Sequence, residues 1–161
     1  MFRFGQGKKQ SVVRMKFHRA DAHAKISGAE PLPGRSNYFL GSDPARWRTD
    51  IPHYARVVSQ DIYPGIDLIH YGARGQLEFD FVVHPGADPG AIQLRVQGAR
   101  QLKLNDRGDV VLSTSAGDVL LNAPVIYQQR QGARQQVAGG FLLRGKNRIA
   151  FHLGPHDSSL P

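Results

Sequence analysis

The run LEFDFVV, Leu77 to Val83, alternates its side chains with a period of two. Leu77, Phe79, Phe81 and Val83 project to one side; Glu78, Asp80 and Val82 project to the other, and His84 continues that second side. A helix buries positions three and four apart, so it cannot gather this pattern onto one face, whereas a strand with one buried side does so directly. Similar runs recur along the chain and helical periodicity is almost absent. Strands are expected from Val12 to Phe17, Tyr54 to Ser59, Ile66 to Tyr71, Ile92 to Gln97 and Val110 to Thr114. Three more are expected from Val125 to Gln129, Gln136 to Leu143 and Arg148 to Leu153.

The connections carry turn chemistry. In Tyr63-Pro64-Gly65 and His84-Pro85-Gly86 the proline presets one φ and the glycine accepts the next, positive one, which suits a type II turn. Asn105 to Asp109, Ala116-Gly117-Asp118 and Gln131-Gly132-Ala133 read as hairpin connections. Ser42-Asp43-Pro44 offers a cap and an N-terminal proline for a short helical turn, and Asp88-Pro89 offers the same. Together these signals specify an all-β fold. It is an antiparallel β-sandwich, or an open barrel, with one or two short helical turns.

A chain of 161 residues with 40% hydrophobic and 21% charged residues can bury a core of its own. It reads as a basic N-terminal extension over residues 1–11 followed by a single domain over 12–161. With no cysteine, disulfides, thiolate metal sites and a cysteine nucleophile are all excluded. No apolar run is long enough to cross a bilayer. The net charge of +8 invites an anionic partner. However, Arg3, Lys8, Lys9, Arg14, Lys16 and Arg19 crowd the start, and later arginines such as Arg95, Arg107, Arg130 and Arg144 are scattered between turns. Without a basic helix, zinc-finger spacing or aromatic RNA-binding signature, this argues against nucleic acid as the partner. The basic N-terminus lacks a following apolar stretch, so it is not a secretory signal; a complete chain of this kind is expected in the cytoplasm.

Several segments carry a resemblance to a known family: Ser36-Asn37-Tyr38-Phe39, Trp47-Arg48-Thr49, Tyr63-Pro64-Gly65-Ile66-Asp67-Leu68 and Asp80-Phe81. They resemble an uncharacterised β domain found near the N-terminus of bacterial cell-surface and secreted proteins, ahead of β-propeller repeats of the SBBP type. The resemblance runs from about Val12 to the C-terminus and implies an extracellular all-β module. It brings no established activity and no catalytic residues. Relative to that pattern the chain reads as shortened at both ends.

Three chemical readings of the residues remain open. On one strand face, Glu78 and Asp80 emerge about 6.6–6.8 Å apart. That separation could flank a Ca²⁺ with oxygen ligands at about 2.3–2.6 Å, or match an inverting carboxylate pair at about 6.5–9.5 Å. With Asp67, His70 and His84 they form the candidate catalytic centre of an ester or lactone hydrolase; Asp67, Glu78 and Asp80 are the candidate metal ligands. The alternatives are a solvated strand face, a cross-strand ion pair with an arginine, and a turn held by Asp67. No G-x-S-x-G elbow or H-E-x-x-H motif occurs. Second, Tyr38, Trp47, Arg48 and Tyr54 form an aromatic and arginine group. Exposed, it would bind carbohydrate or peptide; otherwise the lone tryptophan is the core anchor of the helical turn, and that is the reading its loneness favours. Third, long edge strands could pair with other chains, including copies of this one.

Overall fold

The computed structural model describes residues 2–4, 10–73 and 75–161. The Gly5 to Lys9 part of the basic N-terminal extension lies outside them. The fold is all-β and antiparallel, and the sheets among the described residues are open rather than closed into a barrel. The chain forms two compact units, one from Met1–Ala20 with His84–Pro161 and the other from Asp21–Val83.

The first unit holds strands β1 (Phe2–Phe4) and β2 (Ser11–Phe17) and, after the second unit, β7 (Gln93–Gln97), β8 (Gln101–Leu104), β9 (Val110–Thr114) and β10 (Gly117–Leu121). It ends with β11 (Tyr127–Arg130), β12 (Ala133–Gln136), β13 (Gly139–Arg144) and β14 (Arg148–Leu153). These form a five-stranded sheet in the order β1-β2-β7-β14-β13, a three-stranded sheet β10-β9-β8 and the hairpin β11-β12. Alternation places the core: in β7, Leu94 and Val96 are buried while Arg95 and Gln97 are exposed. Val13, Phe141 and Ile149 add to that side, and Val110 and Leu112 supply the inner side of the three-stranded sheet. Leu94 and Ile149 are 0% exposed, so each contributes about 1.5–3 kcal/mol by leaving water.

The second unit is one four-stranded sheet: β3 (Ile26–Tyr38), β4 (Arg48–Tyr63), β5 (Ile66–Ala73) and β6 (Gln76–Val83), in that order. Two of its strands depart from expectation. β3 was not expected at all, because Gly28, Pro31, Pro33 and Gly34 read as breakers. It exists because an edge strand tolerates proline. A bulge between Leu32 and Arg35 absorbs the Pro33-Gly34 pair. β4 extends well beyond the expected Tyr54–Ser59, reaching Arg48 through a second irregularity in which Asp50 adopts φ +57°.

The turn expectations hold where proline and glycine dictate the backbone. Gly65 and Gly86 have φ +69° and +81°, and the His84 carbonyl accepts from the Ala87 N–H at 3.0 Å. Both helical turns form, each as a single 3-10 turn (Pro44–Arg46 and Pro89–Ala91) capped by Asp43 and Asp88 respectively. The expected strand from Gln136 to Leu143 is instead two strands, β12 and β13, broken where the Val137 N–H donates to the Ile126 carbonyl at 2.9 Å. The strand expected from Val125 begins two residues later, at Tyr127. β8 and β10, also unexpected, flank β9, whose bounds match the sequence reading.

Candidate functional site

The β3–β4 hairpin ends in a loop, residues 39–47, that concentrates exposed apolar side chains. Tyr38, Phe39, Leu40 and Trp47 are 54%, 62%, 56% and 37% exposed. Trp47 therefore does not fill the core, which corrects the anchor reading. Its role as an anchor is local instead. Its indole N–H donates to the Gly41 carbonyl at 3.1 Å, and its backbone N–H donates to the Pro44 carbonyl at 3.1 Å. Phe39 meets it edge-on, with centroids 5.0 Å apart and planes at 86°. Such a pair adds about 0.5–1.5 kcal/mol beyond area burial, so the loop is held in shape without the rings leaving the surface.

The base of the loop is equally fixed. Tyr38 and Arg48 are register partners. The Asn37 side-chain oxygen accepts from the Asp50 N–H at 2.8 Å, and an Arg35 guanidinium N–H donates to the Asp50 carbonyl at 3.2 Å. The Asp43 carboxylate accepts from the Ala45 N–H at 3.0 Å. Of the four aromatic and arginine candidates, Tyr38, Trp47 and Arg48 therefore sit together at the tip. Tyr54 lies farther down β4, where its ring covers Gly28 with an approach a Cβ there would obstruct. Phe39 and Leu40 belong to the patch and were not singled out as binding residues; the signal was the apolar triplet Tyr-Phe-Leu running straight into a Gly-Ser-Asp-Pro turn.

The acidic candidates lie elsewhere on the same sheet. Glu78 is opposite Tyr71, Asp80 opposite Ile69 and Asp67 opposite Val82, so all three emerge on one face. The Tyr71 hydroxyl donates to Asp80, 3.1 Å from each carboxylate oxygen. Tyr71 is in turn opposite Arg56, whose guanidinium lies 5.4 Å from the ring centroid and pairs with Glu30 at 3.1 Å. Glu30, Arg56, Tyr71 and Asp80 thus form one chain of polar contacts across all four strands. Burial and the neighbouring Asp80 and Glu78 charges push the Tyr71 phenol up to about 12, because each disfavours phenolate.

Asp67 spends a carboxylate oxygen on the Asp61 N–H at 2.8 Å, and Asp61, at φ +50°, accepts from the Gly65 N–H at 3.2 Å. These bonds hold the bulge before the Pro64-Gly65 turn. His84 stands past the end of β6 and opens the next turn, in the other unit. His70 is half-buried on the opposite face, tilted against Phe79 at 6.2 Å, and burial lowers its pKa. Among the described residues no three His, Asp or Glu side chains are grouped to hold a metal ion, and no helix is long and apolar enough to cross a membrane.

The chain matches no curated protein and no solved structure. A family model does match, over residues 4–161, so that both units fall within it: the chain belongs to the family described as Domain of unknown function (DUF7948).

Proposed function

We propose that this domain is a non-catalytic binding module and that the aromatic tip of the β3–β4 hairpin is its contact surface for a carbohydrate chain. The observation that carries this reading is the tip itself: three aromatic rings and a leucine stand exposed on a loop whose backbone is held by its own hydrogen bonds. Exposed apolar groups of this kind cost solvation and are kept where something covers them. Flat rings suit the apolar C–H face of a sugar. Arg46, Arg48, Asp43 and Asp50, all exposed around them, supply hydrogen bonds for hydroxyls. The polar face of the sheet supports a structural use of the carboxylates more than hydrolysis. Asp80 is engaged by Tyr71 and Asp67 by Asp61, and a divalent cation such as Ca²⁺ is not needed to explain either.

The setting that suits such a module is the cell exterior, within a longer surface or secreted protein of the kind that carries propeller repeats. Support for that setting comes from the sequence resemblance. Calorimetric titration with β-linked hexasaccharides of glucose and of N-acetylglucosamine tests the function. Saturable binding is expected, and it should be lost in a Tyr38→Ser, Phe39→Ser variant whose circular dichroism is unchanged. Turnover of simple esters or lactones by the wild-type domain, or binding that survives the double substitution, overturns the proposal.

A further inference from the structure

The positive charge is not spread evenly. The first unit has fifteen Lys and Arg against five acidic residues, and the second has six against eight. Register concentrates it further. Lys16 on β2 lies opposite Arg95 on β7; Arg95 lies opposite Arg148 on β14; Arg148 lies opposite Arg144 on β13. Residues directly opposite one another share a face. Four cations from four adjacent strands therefore stand in one row about 14–15 Å long at the usual strand spacing. Arg14 joins the same face beside Gln97, its register partner.

The strands that carry the row supply no counter-charge of their own. β2, β7, β13 and β14 contain no aspartate or glutamate. Arg35, Arg56, Arg107 and Arg130, which form ion pairs with acidic residues, all lie outside the row. Lys16, Arg95 and Arg144 are exposed, and Arg148 reaches Gln93 at 3.4 Å. Like charges directly opposite one another destabilise a sheet, so the row works against the fold and points to a ligand. Arg144 and Arg148 flank the β13–β14 turn, whose Gly145 and Lys146 line a surface recess together with Arg100, Gln101 and Leu102.

We infer that this face binds a linear acidic polysaccharide, one that presents carboxylate or sulfate groups at regular intervals. A row of single charges fits a polyanion better than an isolated ion, and Gln93, Gln97 and His152 on the same face offer hydrogen bonds to hydroxyls. The aromatic residues of these strands, Phe17, Phe141 and Phe151, fall on the opposite face. The row thus lacks the stacking platforms by which proteins hold nucleic-acid bases. The row belongs to the first unit and the hairpin tip to the second, and the inference does not rest on the proposal made for the tip.

The test uses the whole chain and a triple variant, Lys16→Ser, Arg95→Ser, Arg144→Ser. A control, Arg19→Ser, Lys25→Ser, Lys103→Ser, removes the same charge at other exposed positions. Binding to polygalacturonate and to chondroitin sulfate is measured across a salt series, beside neutral dextran, duplex DNA and phosphatidylglycerol vesicles. Wild type and control should bind the two acidic polysaccharides with a steep salt dependence, and the row variant should bind about tenfold or more weakly with a shallower slope. Arg95→Thr alone should weaken binding while its urea midpoint stays level or rises, which separates a ligand surface from a structural one. Equal losses in both triple variants, tighter binding to DNA or vesicles, or no binding to either polysaccharide overturns the inference.

Discussion

Gly98 follows β7 at φ +91°, and an added Cβ would overlap the Val12 carbonyl oxygen and lie 3.1 Å from its carbon and 3.5 Å from the Val13 Cα. Gly98→Ala should therefore be among the more damaging single-methyl changes in the chain. The positive φ alone costs an alanine about 1–2 kcal/mol. Relieving the overlap means pushing β2 away from β7, where Val13 is 2% exposed, and forced overpacking of this kind costs about 1–3 kcal/mol. The sum is about 2–5 kcal/mol. Gly132→Ala is the matched control, since Gly132 has φ +81° and open space around its Cβ position, leaving only the first cost. With a urea dependence of about 2 kcal/mol per molar, the two variants should differ by about 0.5–1.5 M in midpoint, followed by far-UV circular dichroism. Coincident midpoints would refute the close approach of Gly98 to β2, and with it the register that assembles the basic row.

Three further outcomes follow from the contacts. In an alkaline absorbance titration, one of the five tyrosines, Tyr71, should ionise near 12 and shift down toward the ordinary value in Asp80→Asn. Because its folded pKa is raised, its contribution to stability is full below about pH 10 and is lost as the pH rises through the folded value. A single common transition for all five tyrosines contradicts this. Asp109, 7% exposed, is held below the usual carboxylate range chiefly by the Asn105 side chain, then by the Ala123 N–H and Arg107. Its contribution is therefore present at neutral pH and lost only as the pH falls through that lowered value. Asp109→Asn should be less stable than wild type at pH 7, and the gap should close in acid; a pH-independent gap counts against it. Gly139→Ala would place a Cβ 2.5 Å from the His152 carbonyl oxygen and 2.7 Å from the Ile126 Cδ1, with an expected cost of about 1–3 kcal/mol. An unchanged melting temperature would count against that packing.

Strands whose alternation ran between clear turns were legible in the sequence: β9 and β14 end where expected, and LEFDFVV is an edge strand with Glu78 and Asp80 exposed. Its apolar side is not the buried one expected, since Leu77 is 61% exposed and Phe79, Phe81 and Val83 are only half-buried. β3 was illegible because propensity treats Pro31, Pro33 and their glycines as breakers, whereas an edge position and a bulge make them tolerable. The hairpin tip was half legible. Tyr38, Trp47 and Arg48 stood out by composition, but a lone tryptophan suggested a core, and only the bonds from Trp47 to Gly41 and Pro44 explain an anchored ring that stays at the surface. The basic row could not have been found in the sequence. Residues 16, 95, 144 and 148 are brought together by strand order alone, and scattered arginines look the same whether or not a sheet aligns them.

Trp47 is the only tryptophan in the chain and sits at the centre of the proposed contact surface, so its fluorescence reports on that surface alone. Titrating the domain with the β-linked hexasaccharides should shift and quench its emission along a saturable curve. The effect should disappear in the Tyr38→Ser, Phe39→Ser variant. Calorimetric binding of those sugars with unchanged Trp47 emission would place the site elsewhere and contradict the account.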